Sequence, residues 1–110
     1  MMAGIIIDTG EGGLMRLDID EAEHIAEVMS ALATPARVLI LARLLDEPAT
    51  VGQLVDELGL GQASVSNHLR ILRHLDLAVG DRDGRHVTYR LQDDHVRAMV
   101  EQVLTHTRHA

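Results

Sequence analysis

Apolar residues recur at three- and four-residue intervals over most of this chain, which is the spacing of amphipathic helices. A first helix is predicted from about Asp18 to about Ala33. Its apolar stripe consists of Ala22, Ile25, Val28, Met29 and Leu32. Thr34 and Pro35 predict the start of a second helix, because threonine is a favoured N-cap and proline fits the first helical position. That helix is expected to end before Pro48.

Two more helices follow with only a short turn between them. Thr50 can cap the third helix, and Gly59-Leu60-Gly61 ends it, since glycine tolerates the left-handed conformation of many helix C-termini. The inward stripe of the fourth helix consists of Val65, Leu69, Leu72 and Leu75. Two helices joined by a three- to four-residue turn that contains glycine predict a helix-turn-helix.

A β-hairpin is predicted directly after the fourth helix. Leu77 and Val79 alternate with other residues ahead of Asp83-Gly84, and the alternation resumes behind this dipeptide. Asp-Gly is a favoured hairpin turn, so the two alternating segments are expected to pair. A last helix begins at about Asp93. Its apolar stripe consists of Val96, Met99, Val100, Val103 and Leu104.

The segment ahead of the first helix has a different pattern. Residues 1–16 place four glycines around three consecutive isoleucines and show no helical period, so we interpret them as a flexible arm. The remaining residues, 17–110, predict one mainly α (α+β) domain. Its element order is α-α-α-α-β-β-α, which is a winged helix-turn-helix.

Composition limits the classes of function. The chain has 110 residues with one tyrosine, no phenylalanine and no tryptophan, so an aliphatic core and a dimer interface are expected. The absence of cysteine excludes disulfides and thiolate metal sites. Without a membrane-length apolar run or a signal peptide, we expect a cytoplasmic protein. We find no nucleophile–base pair and expect no enzymatic activity.

The net charge of −7 argues against a nucleic-acid partner, but the charge is unevenly distributed. Residues 1–60 hold three arginines and eleven acids, whereas residues 61–90 hold five arginines and three aspartates. The second segment therefore carries a net charge of +2, as a DNA-facing edge would. This small excess is a weak signal until the predicted elements are considered with it.

In a winged helix, the second helix of the pair can enter the major groove and the hairpin tip can reach phosphates or the minor groove. The polar candidates for DNA contact on the fourth helix are Gln62, Ser64, Ser66, Asn67, His68 and Arg70. Arg82 and Arg85 are the candidates at the hairpin tip. The alternative is a solvated polar helix face with no partner.

Three motifs bear on that choice. They are A-x-P-x-R-x-x-I/L at Ala33–Ile40, S-V-S-x-H-L at Ser64–Leu69 and G-R-x-V-x-Y at Gly84–Tyr89. In order and spacing they resemble the ArsR/SmtB family of metal-responsive repressors, over roughly residues 20–109. The resemblance implies a homodimer in which the first and last helices form the interface, with two recognition helices about one DNA turn apart.

Four residues of the last helix form the pattern D-x-H-x10-H-x-x-H: Asp93, His95, His106 and His109. His106 and His109 lie on one helix face and can share an ion. His95 and His106 are separated by roughly 16 Å along the axis, so one ion cannot bind both from one helix. Two antiparallel copies would bring the ends together as two equivalent inter-subunit sites.

The alternatives are that Asp93 only caps the helix and that the C-terminal histidines are surface residues. Family members that sense metal through the last helix carry D-x-H near its start, and the all-histidine ending is similar to the nickel- and cobalt-sensing branch. The resemblance thus implies Ni(II), while Co(II) and Zn(II) stay open because these ligands suit all three. Water, Asp8, Glu11 or the C-terminal carboxylate would complete a six-coordinate shell.

The leading hypothesis is a homodimeric, nickel- or cobalt-responsive repressor that binds double-stranded operator DNA and has no membrane partner. One alternative is a winged-helix regulator with a vestigial metal site that responds to a protein partner or another ligand. A metal buffer or chaperone without DNA binding is a third hypothesis, against which the basic segment 61–90 argues.

Overall fold

The computed structural model of the chain describes residues 3–108. Its elements are, in order, β1 (Gly4–Asp8), β2 (Leu14–Asp18), α1 (Ile19–Ala31), α2 (Pro35–Asp46), α3 (Val51–Leu58), α4 (Gln62–His74), β3 (Ala78–Asp83), β4 (His86–Leu91) and α5 (Asp94–Arg108). The chain divides into two units, Met1–Ser30 and Ala31–Ala110. The second unit contains the predicted helix-turn-helix, the hairpin and the last helix, so the winged helix-turn-helix is confirmed.

The first unit begins with a hairpin that the sequence analysis did not predict. β1 and β2 pair antiparallel, with Gly4 opposite Asp18 and Asp8 opposite Leu14. The three isoleucines of β1 are good strand formers, but a five-residue strand leaves little trace in a search for helical period. The element order therefore has two strands more than predicted. The flexibility of residues 1–16 stays a prediction.

Helix α1 exposes much of its apolar stripe within the single chain. Ile25 is 45% exposed and Met29 is 64% exposed, and Ala31 is the only buried residue of the helix. Apolar side chains in this number are usually covered by another surface. The stripe of α1 is therefore available for an interface.

The second unit has an aliphatic core, as the composition predicts. Its fully buried large side chains come from α2, α3 and α4 and are Ile40, Leu41, Leu44, Leu54, Val65, Leu69 and Leu72. Helix α2 packs against α3, α4, α5 and β4, so it is the central element. Within residues 3–108, no single helix is long and apolar enough to cross a membrane; only α1 and α2 taken together reach that length and composition.

The two predicted N-caps differ in the structure. Thr50 forms a capping box, since its hydroxyl accepts from the Gln53 backbone N–H at 3.2 Å and the Gln53 side chain accepts from the Thr50 N–H at 2.9 Å. Thr34 occupies the N-cap position of α2 without a capping bond. Its hydroxyl instead accepts from Nη2 of Arg37 at 2.6 Å, a donor that the sequence analysis did not consider.

The hairpin β3–β4 is the wing, with Ala78 opposite Leu91 and Asp83 opposite His86. A single-residue β-bridge joins β4 to Ala49. The backbone N–H of Ala49 donates to the carbonyl of Tyr89 at 2.9 Å, and the N–H of Tyr89 donates to the carbonyl of Ala49 at 2.8 Å. The wing is therefore hydrogen-bonded to the linker between α2 and α3.

Serine at the two glycines of the turn between α3 and α4 is predicted to change the free energy of unfolding in opposite directions. Gly59 has φ +69° and Gly61 has φ −70°, and a Cβ at either position would meet no atom within 4 Å. Gly59→Ser should lower the free energy of unfolding by about 1 kcal/mol, because only φ strain is added. Gly61→Ser should raise it by roughly 0.5 kcal/mol, because serine is a good N-cap and a less flexible unfolded residue. Urea unfolding of both variants tests the turn; equal changes would contradict it.

Candidate nucleic-acid interface and metal centre

Helix α4 has one buried face and one polar face. Val65, Leu69 and Leu72 lie in the core, which fixes the orientation of the helix on the domain. The predicted DNA-contacting residues on the exposed face are Gln62, Ser64, Ser66, Asn67 and Arg70. Short polar side chains on an exposed helix are suited to base edges and phosphates. Contact of these residues with DNA stays a prediction.

His68 differs from the other candidates because it is half-buried. Its Nδ1 lies 3.4 Å from Nη1 of Arg37 on α2. His68 is predicted from the sequence as a polar candidate for DNA contact, and the structure places it at the boundary between α4 and α2. Arg37 is not among the site residues predicted from the sequence, although it belongs to the A-x-P-x-R motif that carries the family resemblance.

Two of the exposed candidates bind each other. Nη2 of Arg70 donates to Oδ1 of Asn67 at 2.7 Å, across one turn of α4. This bond orders both side chains at the exposed surface and leaves the amide N–H groups of Asn67 as donors. The pair therefore presents several hydrogen-bond donors, which match the acceptors of purine edges and phosphates.

The unpaired positive charge of the wing is located at its tip. Arg90 on β4 donates from Nε to Asp81 on β3 at 2.8 Å, so these two charges offset each other on the wing stem. Within the described part of the chain, the exposed side chains of Arg82 and Arg85 form no ion pair or hydrogen bond. Two cations at the tip are thus available for phosphate contacts.

Arg73 and His74 are two further basic residues beside the candidates for DNA contact on α4. With Arg70, they line a groove between the C-terminal half of α4 and the start of β3. Both are exposed. The sequence indicates that Arg73 lies beside Arg70, since it belongs to the basic segment 61–90 and follows Arg70 by three residues on the same helix.

Asp93 is positioned at the beginning of α5. Its Oδ1 accepts from the backbone N–H of Val96 at 3.0 Å, which confirms that Asp93 caps the helix. The same Oδ1 lies 3.8 Å from Nδ1 of His95, whose side chain is 98% exposed. A small rotation of the exposed His95 ring would bring the two atoms to roughly 3.0–3.4 Å, the spacing of two ligands that both bind one ion at about 2.1 Å. Capping and metal binding are therefore compatible for this pair.

The other half of the predicted metal centre lies at the opposite end of α5. His106 is exposed in the last turn, and His109 lies outside the described residues. Within residues 3–108 of this single chain, no three ligating side chains come together. A site divided between subunits would have this property in each chain, so the four-residue site stays a prediction.

The beginning of α5 is tied to α2. Nη1 of Arg97 donates to the carbonyl of Leu45 at 2.7 Å, near the end of α2. The backbone N–H of Arg97 also donates to the carbonyl of Asp93 at 3.1 Å. Arg97 thus links the first turn of α5 to the end of α2.

Sequence comparison identifies the group of proteins to which this architecture belongs. Residues 34–78 match the family described as bacterial regulatory protein, arsR family. The chain is 42% identical over 93 residues to the HTH-type transcriptional regulator NmtR of Mycobacterium tuberculosis, covering 84% of this chain and 78% of that one. The chain belongs to the ArsR family of bacterial regulatory proteins.

Solved structures of ArsR-family regulators agree with this assignment. The solution structure of apo-NmtR matches with a TM-score of 0.73 and 38% identity, covering 94% of this chain and 87% of that one. The structure of CmtR from Mycobacterium tuberculosis, described as a cadmium metal-sensor, matches with a TM-score of 0.60 and 44% identity, covering 67% of this chain and 76% of that one. The ArsR family consists of bacterial regulatory proteins, and the relative NmtR is described as an HTH-type transcriptional regulator.

The separate roles of wing and recognition helix can be tested on DNA. A variant in which both Arg82 and Arg85 are replaced by alanine should bind all DNA sequences more weakly. The slope of the logarithm of the binding constant against the logarithm of the salt concentration (the salt slope) should also fall in magnitude by about 2, because two phosphate contacts are lost. Asn67→Ala should reduce the binding free energy by about 1–3 kcal/mol on the DNA upstream of the gene for this protein, and by less on random DNA. Fluorescence anisotropy at several salt concentrations measures both effects.

Arg16→Ala is the matched control, since this exposed arginine lies on β2 in the first unit. It should leave the salt slope and the operator affinity unchanged. If both test variants lose equal affinity for both DNAs, the assignment of α4 as the specificity element is wrong.

Proposed function

We propose that this ArsR-family protein is a homodimeric transcriptional repressor that binds double-stranded operator DNA and changes its DNA affinity when nickel or cobalt binds. The observation that carries the proposal is that Oδ1 of Asp93 lies 3.8 Å from Nδ1 of His95 at the start of α5, in a chain whose helix α4 has an exposed polar face. A carboxylate and an imidazole at the capped end of a helix provide two ligands of suitable chemistry.

Two exposed apolar surfaces support the homodimer. The first is the stripe of α1 that contains Ile25 and Met29. The second is on α5, where Val103 is 44% exposed and borders an apolar groove. The groove is lined by Leu32, Val38, Leu41, Val100, Val103 and Leu104. Covering these surfaces with a second copy would remove apolar area from water and add to a modest core.

Asp93 and His95 of one subunit would hold the metal together with His106 and His109 of the other. Imidazole and carboxylate ligands suit nickel, cobalt and zinc, and the all-histidine end is similar to the nickel- and cobalt-sensing branch. The relative CmtR is described as a cadmium sensor. Cadmium is a softer ion that thiolates favour, and this chain has no cysteine, so its ligand chemistry argues against cadmium.

Metal binding would be linked to DNA binding through the position of α2. A bound ion would cross-link the two subunits at the ends of α5. Arg97 joins that end of α5 to the carbonyl of Leu45 on α2, and α2 packs directly against α4. A shift of α2 would change the spacing of the two recognition helices. A coupling free energy of about 1–3 kcal/mol would change operator affinity roughly 5- to 150-fold.

The homodimer can be tested with a charge placed in the proposed interface. Val103→Asp should raise the dimer dissociation constant by at least about tenfold, because an unpaired carboxylate would be buried between subunits. Leu39→Asp is the matched control, since Leu39 is 46% exposed on α2, outside the proposed interface. Sedimentation equilibrium measures both variants, and a wild-type monomer at micromolar concentration would contradict the proposal.

The metal centre can be tested by complementation. His95→Ala alone, or His106→Ala with His109→Ala, should abolish Ni(II) and Co(II) binding, because each change removes one half of both sites. A mixed dimer of the two variants should regain one complete site per dimer. Cobalt absorption during titration reports the binding, and weak bands would indicate six-coordination rather than a tetrahedral site.

His86→Ala is the control for a general effect of losing a histidine, since His86 is exposed on the wing. It should bind metal like the wild type. A mixed dimer that folds but binds no cobalt would contradict the inter-subunit site and favour a regulator that responds to another ligand.

A further inference from the structure

Arg37 connects the junction of α1 and α2 to the recognition helix α4. Its Nε donates to the carbonyl of Ala31 at 2.8 Å, and its Nη2 donates to the hydroxyl of Thr34 at 2.6 Å. Its Nη1 lies 3.4 Å from Nδ1 of His68. One planar guanidinium thus reaches the end of one helix, the start of the next and a side chain of the recognition helix.

The chemistry of arginine determines which nitrogen of His68 carries the hydrogen. A guanidinium has only donors, so Nδ1 of His68 must accept in this contact. A neutral imidazole that accepts at Nδ1 is protonated at Nε2. Arg37 therefore favours the Nε2–H tautomer of His68, which is a donor at its outer nitrogen.

The outer nitrogen of His68 is accessible. In the described part of the chain, Nε2 forms no hydrogen bond, and no buried side-chain nitrogen or oxygen lacks a partner. Nε2 therefore reaches solvent, although the residue is half-buried. Its neighbour Asn67 is one of the exposed candidates for DNA contact.

We propose that Arg37 is a positioning residue that holds His68 as a fixed Nε2–H donor, with which α4 recognises a hydrogen-bond acceptor of the operator. This inference rests on the proposed DNA-binding function. The acceptor is a base atom, such as O6 or N7 of guanine or O4 of thymine, or a phosphate oxygen. The fixed donor discriminates against the amino groups of cytosine and adenine, which are donors themselves.

Lysine is a poor substitute for this arrangement. An ammonium group is a compact point charge, whereas the guanidinium presents its N–H groups in a rigid planar fork. Acceptors on Ala31, Thr34 and His68 lie around such a fork at Arg37. Arg37→Lys should therefore keep the charge of α2 and lose the orientation of His68.

The first test needs no DNA. Nitrogen-15 NMR of the imidazole nitrogens in the wild-type protein should show His68 unprotonated at Nδ1 and protonated at Nε2 when the ring is neutral. Arg37→Met should remove this preference and give a mixture of tautomers. A wild-type His68 protonated at Nδ1 would overturn the proposal, even if the Arg37 variant does not fold.

Arg43→Met is the matched control for this experiment. Arg43 is also a covered arginine of α2, where it donates to the carbonyl of Glu47 at 2.7 Å and pairs with Glu57 at 3.2 Å. It is not bonded to α4 in the described residues. Its loss should leave the tautomer of His68 and the operator affinity unchanged.

The second test measures affinity for the DNA upstream of its own gene and for random DNA. His68→Ala should weaken operator binding about tenfold, within the range for one base contact. Arg37→Met should act through the same contact, so the double variant should be no weaker than His68→Ala. His68→Gln, which restores a donor near the position of Nε2, should recover part of the affinity.

The comparison of DNAs identifies the acceptor. A loss confined to the operator assigns a base atom, whereas equal losses with a salt slope reduced by about 1 assign a phosphate. Additive losses for Arg37→Met and His68→Ala would overturn the coupling. A wild-type protein that shows the Nε2–H tautomer and binds no DNA would contradict the proposed function and leave the Arg37–His68 linkage established.

Discussion

The apolar packing of α2 against its neighbours is the interaction that holds the elements of the second unit together. Ile40, Leu41 and Leu44 of α2 are fully buried, and the helix packs on α3, α4, α5 and β4. Aliphatic side chains of this kind pack closely, so a small shift of α2 would displace the elements that pack against it. The position of α2 in the core therefore determines both the orientation of the recognition helix and the contact of α5 with the rest of the unit.

Two arginines attach this central helix at its opposite ends. Arg37 at the beginning of α2 reaches His68 on the recognition helix, and Arg97 on α5 reaches the carbonyl of Leu45 near the end of α2. Both contacts use a guanidinium with half-buried neighbours, where hydrogen bonds are less exposed to competition from water. The proposed metal end of α5 and the proposed DNA-reading face of α4 thus share one structural element.

Much of this architecture could be predicted from local patterns. The stripe Val65, Leu69 and Leu72 is a periodic signal, and the cap at Thr50 and the turn at Gly59 follow from single residues with specific backbone preferences. The missed features are of another kind. The N-terminal hairpin is too short for a periodic signal, and the bonds of Arg37 join residues up to 31 positions apart. Such contacts depend on tertiary packing, which a sequence pattern does not encode.

The single tyrosine of the chain has an optical consequence. Tyr89 lies on β4 and exchanges two backbone hydrogen bonds with Ala49 in the α2–α3 linker. Because the sequence contains no tryptophan, all intrinsic near-ultraviolet fluorescence arises from this one ring. Emission from the unlabelled protein therefore reports on the environment of the wing stem rather than on an average over the molecule. A movement of the wing relative to the linker on ligand binding can therefore be followed by tyrosine fluorescence without an attached dye.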